Sequence, residues 1–223
     1  MAHQFLKSTA LPPLTSKVYI HKGLNRSRKF SVNSTIKSIT VKDHFISIIY
    51  SNQSLPFPLG EDQQIAQKLV SFEKDLNQTI LKVASLKSGN CKLSLDTIEF
   101  GIFGAEQFRK GINLAVYNTP QRLQAQLIKN KLTALWKVEA DLRSIRHVEL
   151  NQLKGFKGFN DLNQIKADLD SVYKNKFEGN TYFKTVFDKY IINKPKESEL
   201  TKQLEKIRTD VYYICIIRLR NMN

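Results

Sequence analysis

The side chains of this chain able to move protons near neutral pH are four histidines, His3, His21, His44 and His147. An imidazole becomes a general base only within hydrogen-bond reach of a serine or cysteine, with an acid holding its far nitrogen. None of the four stands in a motif that builds such an arrangement, and each is read as structural or surface. Asp43 and His44 adjoin a strand-like run, where consecutive side chains point to opposite faces and cannot act together. Glu139 lies on the apolar side of a helical pattern. It is read as the ion-pair partner of Arg143, four residues on, in preference to a buried acid. Cys91 and Cys215 fit neither a metal-ligand spacing nor a CxxC redox pair. Two buried, inert thiols are expected, with a disulfide between them as the alternative. Tyr182, Phe183, Phe187 and Tyr190 recur at helical spacing, which core packing explains better than base stacking. The chain contains no GxSxG elbow, phosphate-binding glycine loop, GxGxxG or HExxH motif. No catalytic residue, metal ligand or cofactor site is therefore assigned, and no binding residue is singled out.

The composition is that of a globular protein: 223 residues, 41% hydrophobic and 25% charged, enough for one core or one core with a smaller subdomain. A formal net charge of +15 raises an anionic partner such as a polysaccharide, a nucleic acid or membrane headgroups. The basic residues are nonetheless spread along the chain. Their densest cluster, Arg26, Arg28 and Lys29, is too short for a nucleic-acid tail, so a solvated basic surface is the preferred reading. No apolar run is long enough for a signal peptide or a transmembrane segment, and no localisation is assigned.

The elements divide into an α+β order. Met1 to Ser8 reads as the last two turns of an amphipathic helix. From Lys17 to Phe100 the pattern is strand-like. Val18 and Ile20 alternate with polar residues, Ile36, Ile39 and Val41 do so with one irregularity, and Phe45 to Tyr50 is a β-branched and aromatic run. Leu55-Pro56-Phe57-Pro58-Leu59 cannot be a central strand, because each proline removes a ladder donor. Gln63 to Leu76 is expected to form a short helix, and Lys87 to Asn90 a hairpin turn between Ile80–Val83 and Leu93–Leu95. An antiparallel β-sheet region with one buried face follows from this pattern. After Ala105 the period becomes helical. Ile128, Leu132, Leu135, Leu142 and Ile145 share one face, with Trp136 beside it. Leu162, Ile165, Leu169 and Val172 form a second stripe, and Leu200, Leu204, Ile207, Val211 and Ile214 a third, read as packing on neighbours in preference to a coiled-coil seam. Phe108 to Ala125 reads as a helix, a polar break at Asn118, and a new helix capped by Thr119 with Pro120 at its first position.

An ordered set of segments carries a family resemblance: Leu55–Leu59, Leu81-Lys82-Val83 with Leu86 and Gly89-Asn90, Leu93–Asp96, Lys110–Ala115, Thr119-Pro120 and Gln124-Ala125. Together they resemble the region that follows the catalytic core in bacterial SGNH/GDSL-type hydrolases, and Met1–Ser8 resembles the closing helix of that core. The resemblance implies residues 1–14 as a remnant of that helix plus a linker, 15–104 as a mainly β region and 105–223 as a helical region. In such enzymes a serine in a Gly-Asp-Ser block is the nucleophile, an Asn in a Gly-x-Asn-Asp block supports the oxyanion, and an Asp-x-x-His motif activates the serine. This chain has neither Gly-Asp-Ser nor Asp-x-x-His. Gly158-Phe159-Asn160-Asp161 spells the oxyanion block, but it lies far downstream of where the resemblance would place it and is read as a polar turn between helices. The expectation is a non-catalytic, carboxy-terminal part of an SGNH/GDSL-type ester hydrolase, truncated or split, inactive alone, and partnered by the missing core or by a carbohydrate or acyl ester held near it. Intact relatives are expected to be exported, and an exposed apolar face is expected to favour self-association. The alternative is an independent basic module for an anionic polysaccharide or nucleic acid.

Overall fold

A computed structural model of the protein describes residues 2–22, 27–42, 44–60, 63, 69–96 and 98–220. The expectations at Arg26 and Asp43 and for much of the Gln63–Leu76 helix lie outside these residues, as does the side chain of Cys215. The architecture is α+β, with sheets in the first part of the chain and long helices in the second. Two compact units are defined, Met1–Lys129 and a second beginning at Asn130.

The first unit starts with helix α1 (Ala2–Ser8), followed by strands β1 (Leu14–Lys22), β2 (Ser27–Val32), β3 (Ser34–Lys42) and β4 (Phe45–Asn52). Helix α2 (Phe72–Leu76), β5 (Gln78–Val83), β6 (Asn90–Leu95), β7 (Ile98–Gly104), α3 (Ala105–Lys110) and β8 (Ile112–Asn113) complete it. The main sheet has the order β2-β1-β5-β8; β3–β4 and β6–β7 are separate two-stranded ribbons. Every pair is antiparallel except β1–β5, which is parallel because the connection between them crosses over through β2, β3, β4 and α2. Alternation places Val18 and Ile20 of β1 and Leu81 and Val83 of β5 on one face, where they bury with Leu93, Phe108, Ile112 and Leu114. The irregularity in the Ile36–Val41 pattern is a register shift between Ile36 and Ser38 in the β3–β4 pairing.

The hairpin expected at Lys87–Asn90 does not form. Strand β5 is flanked on both edges by β1 and β8, so β6 pairs instead with β7 through a tight turn in which Asp96 takes a φ of 54°. The helix expected to run on from Phe108 also ends early. Gly111, at φ 109°, stops α3 and turns the chain into β8, followed by a 3-10 turn at Leu114–Val116. A Cβ built on Gly111 would sit 2.9 Å from Ile80 Cγ2. Gly111→Ala is therefore expected to cost about 2 kcal/mol, from the positive φ and the clash together, readable as a shift in denaturant midpoint with unchanged m-value. The new helix starts as anticipated. Thr119 is buried, its hydroxyl accepts the Arg122 N–H at 3.2 Å, and Pro120 opens α4.

Helix α4 (Pro120–Asn151) carries the chain from the first unit into the second, which adds α5 (Leu162–Val172), a π-helical turn at Tyr173–Phe177, α6 (Thr181–Asn193) and α7 (Glu197–Arg220). Ile145, Val148, Leu153, Ile165, Leu169, Phe187 and Tyr190 form one core; Val138, Leu204 and Ile207 form a second. The α7 stripe thus packs on α4 and is no coiled-coil seam. No helix among the described residues is long and apolar enough to cross a membrane.

Candidate functional site

The four histidines stay apart. His147 is exposed on α4, against Asn151 of its own helix. His44 is exposed at the β3–β4 turn, and His21 on β1 is paired in register with Arg28. His3 has a partner that sequence spacing did not suggest. Its Nε2 lies 3.2 Å from Asp75 Oδ2, which also accepts from Lys7 at 3.2 Å. The Lys7 hydrogen bond, helped by the Lys7 and His3 charges, outweighs desolvation and holds the Asp75 carboxyl below its ordinary range. This pair ties α1 to α2, and no serine or cysteine is recorded in contact with it. Cys91 is a free, half-buried thiol against the first core. Glu139 meets Arg143 at 3.8 Å, but Arg208 of α7 approaches closer, at 3.1 Å. Among the described residues no cluster of three or more His, Cys, Asp or Glu could hold a metal ion.

Gly158–Asp161 is a turn that caps a helix. Asp161 Oδ1 accepts the N–H groups of Asn163 at 2.9 Å and Gln164 at 3.2 Å, opening α5. Phe159 packs edge-to-face on Phe156, and Asn160 is directed into a cleft of about 750 Å³ with Leu162, Glu197, Ser198 and Lys202. A second cleft of about 450 Å³, walled by Arg146, Glu149 and Leu153, shares Phe159 and Lys194 with the first. Of the four aromatics at helical spacing, Phe183, Phe187 and Tyr190 pack inward, with Phe177 stacked on Phe183 at 3.7 Å; Tyr182 is exposed.

An ion network separates the two clefts. Lys194 donates to Glu149 Oε1 and, at 2.7 Å, to Glu197 Oε2; Arg146 donates to both acids, reaching Glu149 Oε2 at 2.7 Å. The Tyr190 hydroxyl donates to Glu149 Oε1 at 3.4 Å. Burial alone would raise Glu149, but the hydrogen bonds and charges of Lys194 and Arg146 together hold it below the usual carboxylate range. Burial would lower Lys194, yet its two carboxylate partners hold it above the usual amine range. Burial, and then Glu149, push the Tyr190 phenol well up, and burial with the Asp96 charge pushes Tyr50 up to about 12. Lys194 therefore stays protonated, Glu149 ionised and both phenols neutral near pH 7. None of these groups is poised to exchange a proton there. Ser198 opens onto the larger cleft, which no histidine lines. The arrangement braces helices and leaves a shallow polar cleft. It does not assemble a nucleophile with its base.

The fold and this cleft define an α+β scaffold with a helical unit and no catalytic constellation among the described residues. No family model matches the chain, and no curated protein matches its sequence. Among solved structures the chain is similar to a gut microbial diltiazem-metabolizing enzyme, with a TM-score of 0.76 and 26% identity over 96% of this chain. The match takes in 50% of that protein, so this chain spans half its length.

Proposed function

We propose that the protein is the carboxy-terminal, non-catalytic part of an SGNH/GDSL-type ester hydrolase. The observation that carries this reading is the match of nearly the whole chain to half of a drug-metabolizing enzyme, combined with the absence of a nucleophile–base pair at the largest cleft. Diltiazem carries an acetate ester, so ester cleavage is one chemistry compatible with that neighbour's description. The segments that carry the resemblance also behave as scaffold. Leu55–Leu59, β5 and Lys110–Ala115, distant in sequence, meet through Asn77 and Asn113. In a whole enzyme such a region would brace the catalytic part and wall one side of its substrate cleft.

The protein alone is expected to hydrolyse p-nitrophenyl acetate no faster than buffer, and Asn160→Ala to change nothing. Turnover that Asn160→Ala abolishes would reverse the non-catalytic assignment, because a lone oxyanion donor without an activated nucleophile contributes little by itself. The hydrolase assignment itself is tested in the DNA preceding the Met1 codon, which is expected to encode an Asp-x-x-His motif in this frame or a neighbouring one.

A further inference from the structure

Helix α1 has an energetic problem. It is seven residues long, and none of its residues from His3 to Ser8 is buried. Isolated helices shorter than about 12–15 residues are marginal in water, so a helix this short depends on packing. What α1 has is one edge. His3 and Lys7 reach Asp75, and the His3 ring lies 6.3 Å from Phe72 of α2. The Leu55–Leu59 loop joins the same point, with Phe57 edge-on to Phe72 at 5.6 Å. Around this junction four large apolar side chains remain open: Phe5 at 67% exposure, Leu11 at 45%, Phe57 at 38% and Leu69 at 81%. They come from four separate segments, and single exposed apolar residues are ordinary whereas a gathered set is not.

We propose that this rim, Phe5, Leu11, Phe57 and Leu69, is the docking surface for the catalytic half of an ester hydrolase; the proposal rests on the functional reading above and adds to it the face that is used. Two observations select that occupant. The structural neighbour carries as much chain again beyond the part matched here, so a partner of domain size accompanies this fold in at least one protein. A second copy of this chain is a poor fit, since it would bring a net charge of +15 against +15. Burying four such side chains against a protein surface also supplies the packing that α1 lacks.

The test uses a single chain in which this entire protein replaces the matched half of the diltiazem-metabolizing enzyme, compared with the protein by itself. Hydroxyl-radical footprinting reads side-chain burial directly. Labelling of Phe5, Phe57 and Leu69 is expected to fall several-fold in the joined chain, while Ile102, 65% exposed on β7, stays unchanged. Phe5→Asp with Leu69→Asp is expected to restore the labelling of Phe57. Both changes are at open positions, so the unit should keep its fold, which circular dichroism of the free variant checks. Protection that appears elsewhere on this chain but not at the rim overturns the surface and leaves the functional reading standing. No protection anywhere overturns both. Labelling of the rim in the free protein that falls with concentration, and recovers in Phe5→Asp, identifies a self-pairing seam and overturns the proposal.

Discussion

Lys194→Ala is expected to destabilise the helical unit by about 3 kcal/mol, the low end of the range for breaking a buried ion pair. The Lys194 and Glu149 side chains are 16% and 10% exposed. Removing the ammonium leaves two carboxylates, Glu149 and Glu197, sharing one guanidinium, that of Arg146, which is itself mostly in water. The cost comes less from the lost attraction than from a desolvated acid left short of donors. Hydrogen exchange across α5 and α6 measures it, because Tyr190 and Ile165 lie in the core beneath the network.

The pH dependence of that loss tests the cause. Glu149 is held below its unfolded value of about 4.3, so its contribution is complete above that pH and disappears as pH falls through the lower folded value. Lys194 is held above its unfolded value of about 10.4, so its contribution is complete below that pH and disappears as pH rises through the folded value. The difference between wild type and Lys194→Ala should be flat across the neutral range and narrow on strong acidification, where Glu149 protonates in the wild type as well. A difference that does not change down to pH 2 would assign the effect to lost packing of the lysine stem.

How much of this was legible in the sequence depends on whether the deciding contact was local. Thr119 and Pro120 opening α4, the three apolar stripes and the helix-capping role of Asp161 all depend on neighbours within about one or two helical turns, and periodicity exposes them. The partner of β5 depends on a crossover of about 60 residues, so a nearby Gly-Asn turn pointed to β6 when β1 and β8 had taken both edges. Gly111 looked like one helical residue among others. Only the approach of Ile80 shows why the chain turns there. The clefts were equally hidden, because Lys194 reads as a loop lysine until the fold brings Glu149, 45 positions away, against it.

Asn113→Ala is expected to cost the first unit about 3 kcal/mol, since one side chain serves three backbone groups in a buried place and each loss is worth about 1–3 kcal/mol before relaxation. The N–H groups of Thr79 and Ala115 donate to Asn113 Oδ1 at 2.9 and 3.1 Å, and Asn113 Nδ2 donates to the Asn77 carbonyl at 3.0 Å. Asn77, 1% exposed, in turn accepts the Phe57 N–H on its own Oδ1 at 2.9 Å. The relay runs from the end of β8 through β5 to the Leu55–Leu59 loop, where each proline lacks the N–H that could anchor it otherwise. Two variants separate its links. Asn77→Ala should speed exchange of the Phe57 amide while leaving Thr79 protected, whereas Asn113→Ala should speed both. Stability that is unchanged in Asn113→Ala would mean that water replaces the side chain at all three groups, and the loop would then owe its position to the Phe57–Phe72 contact alone.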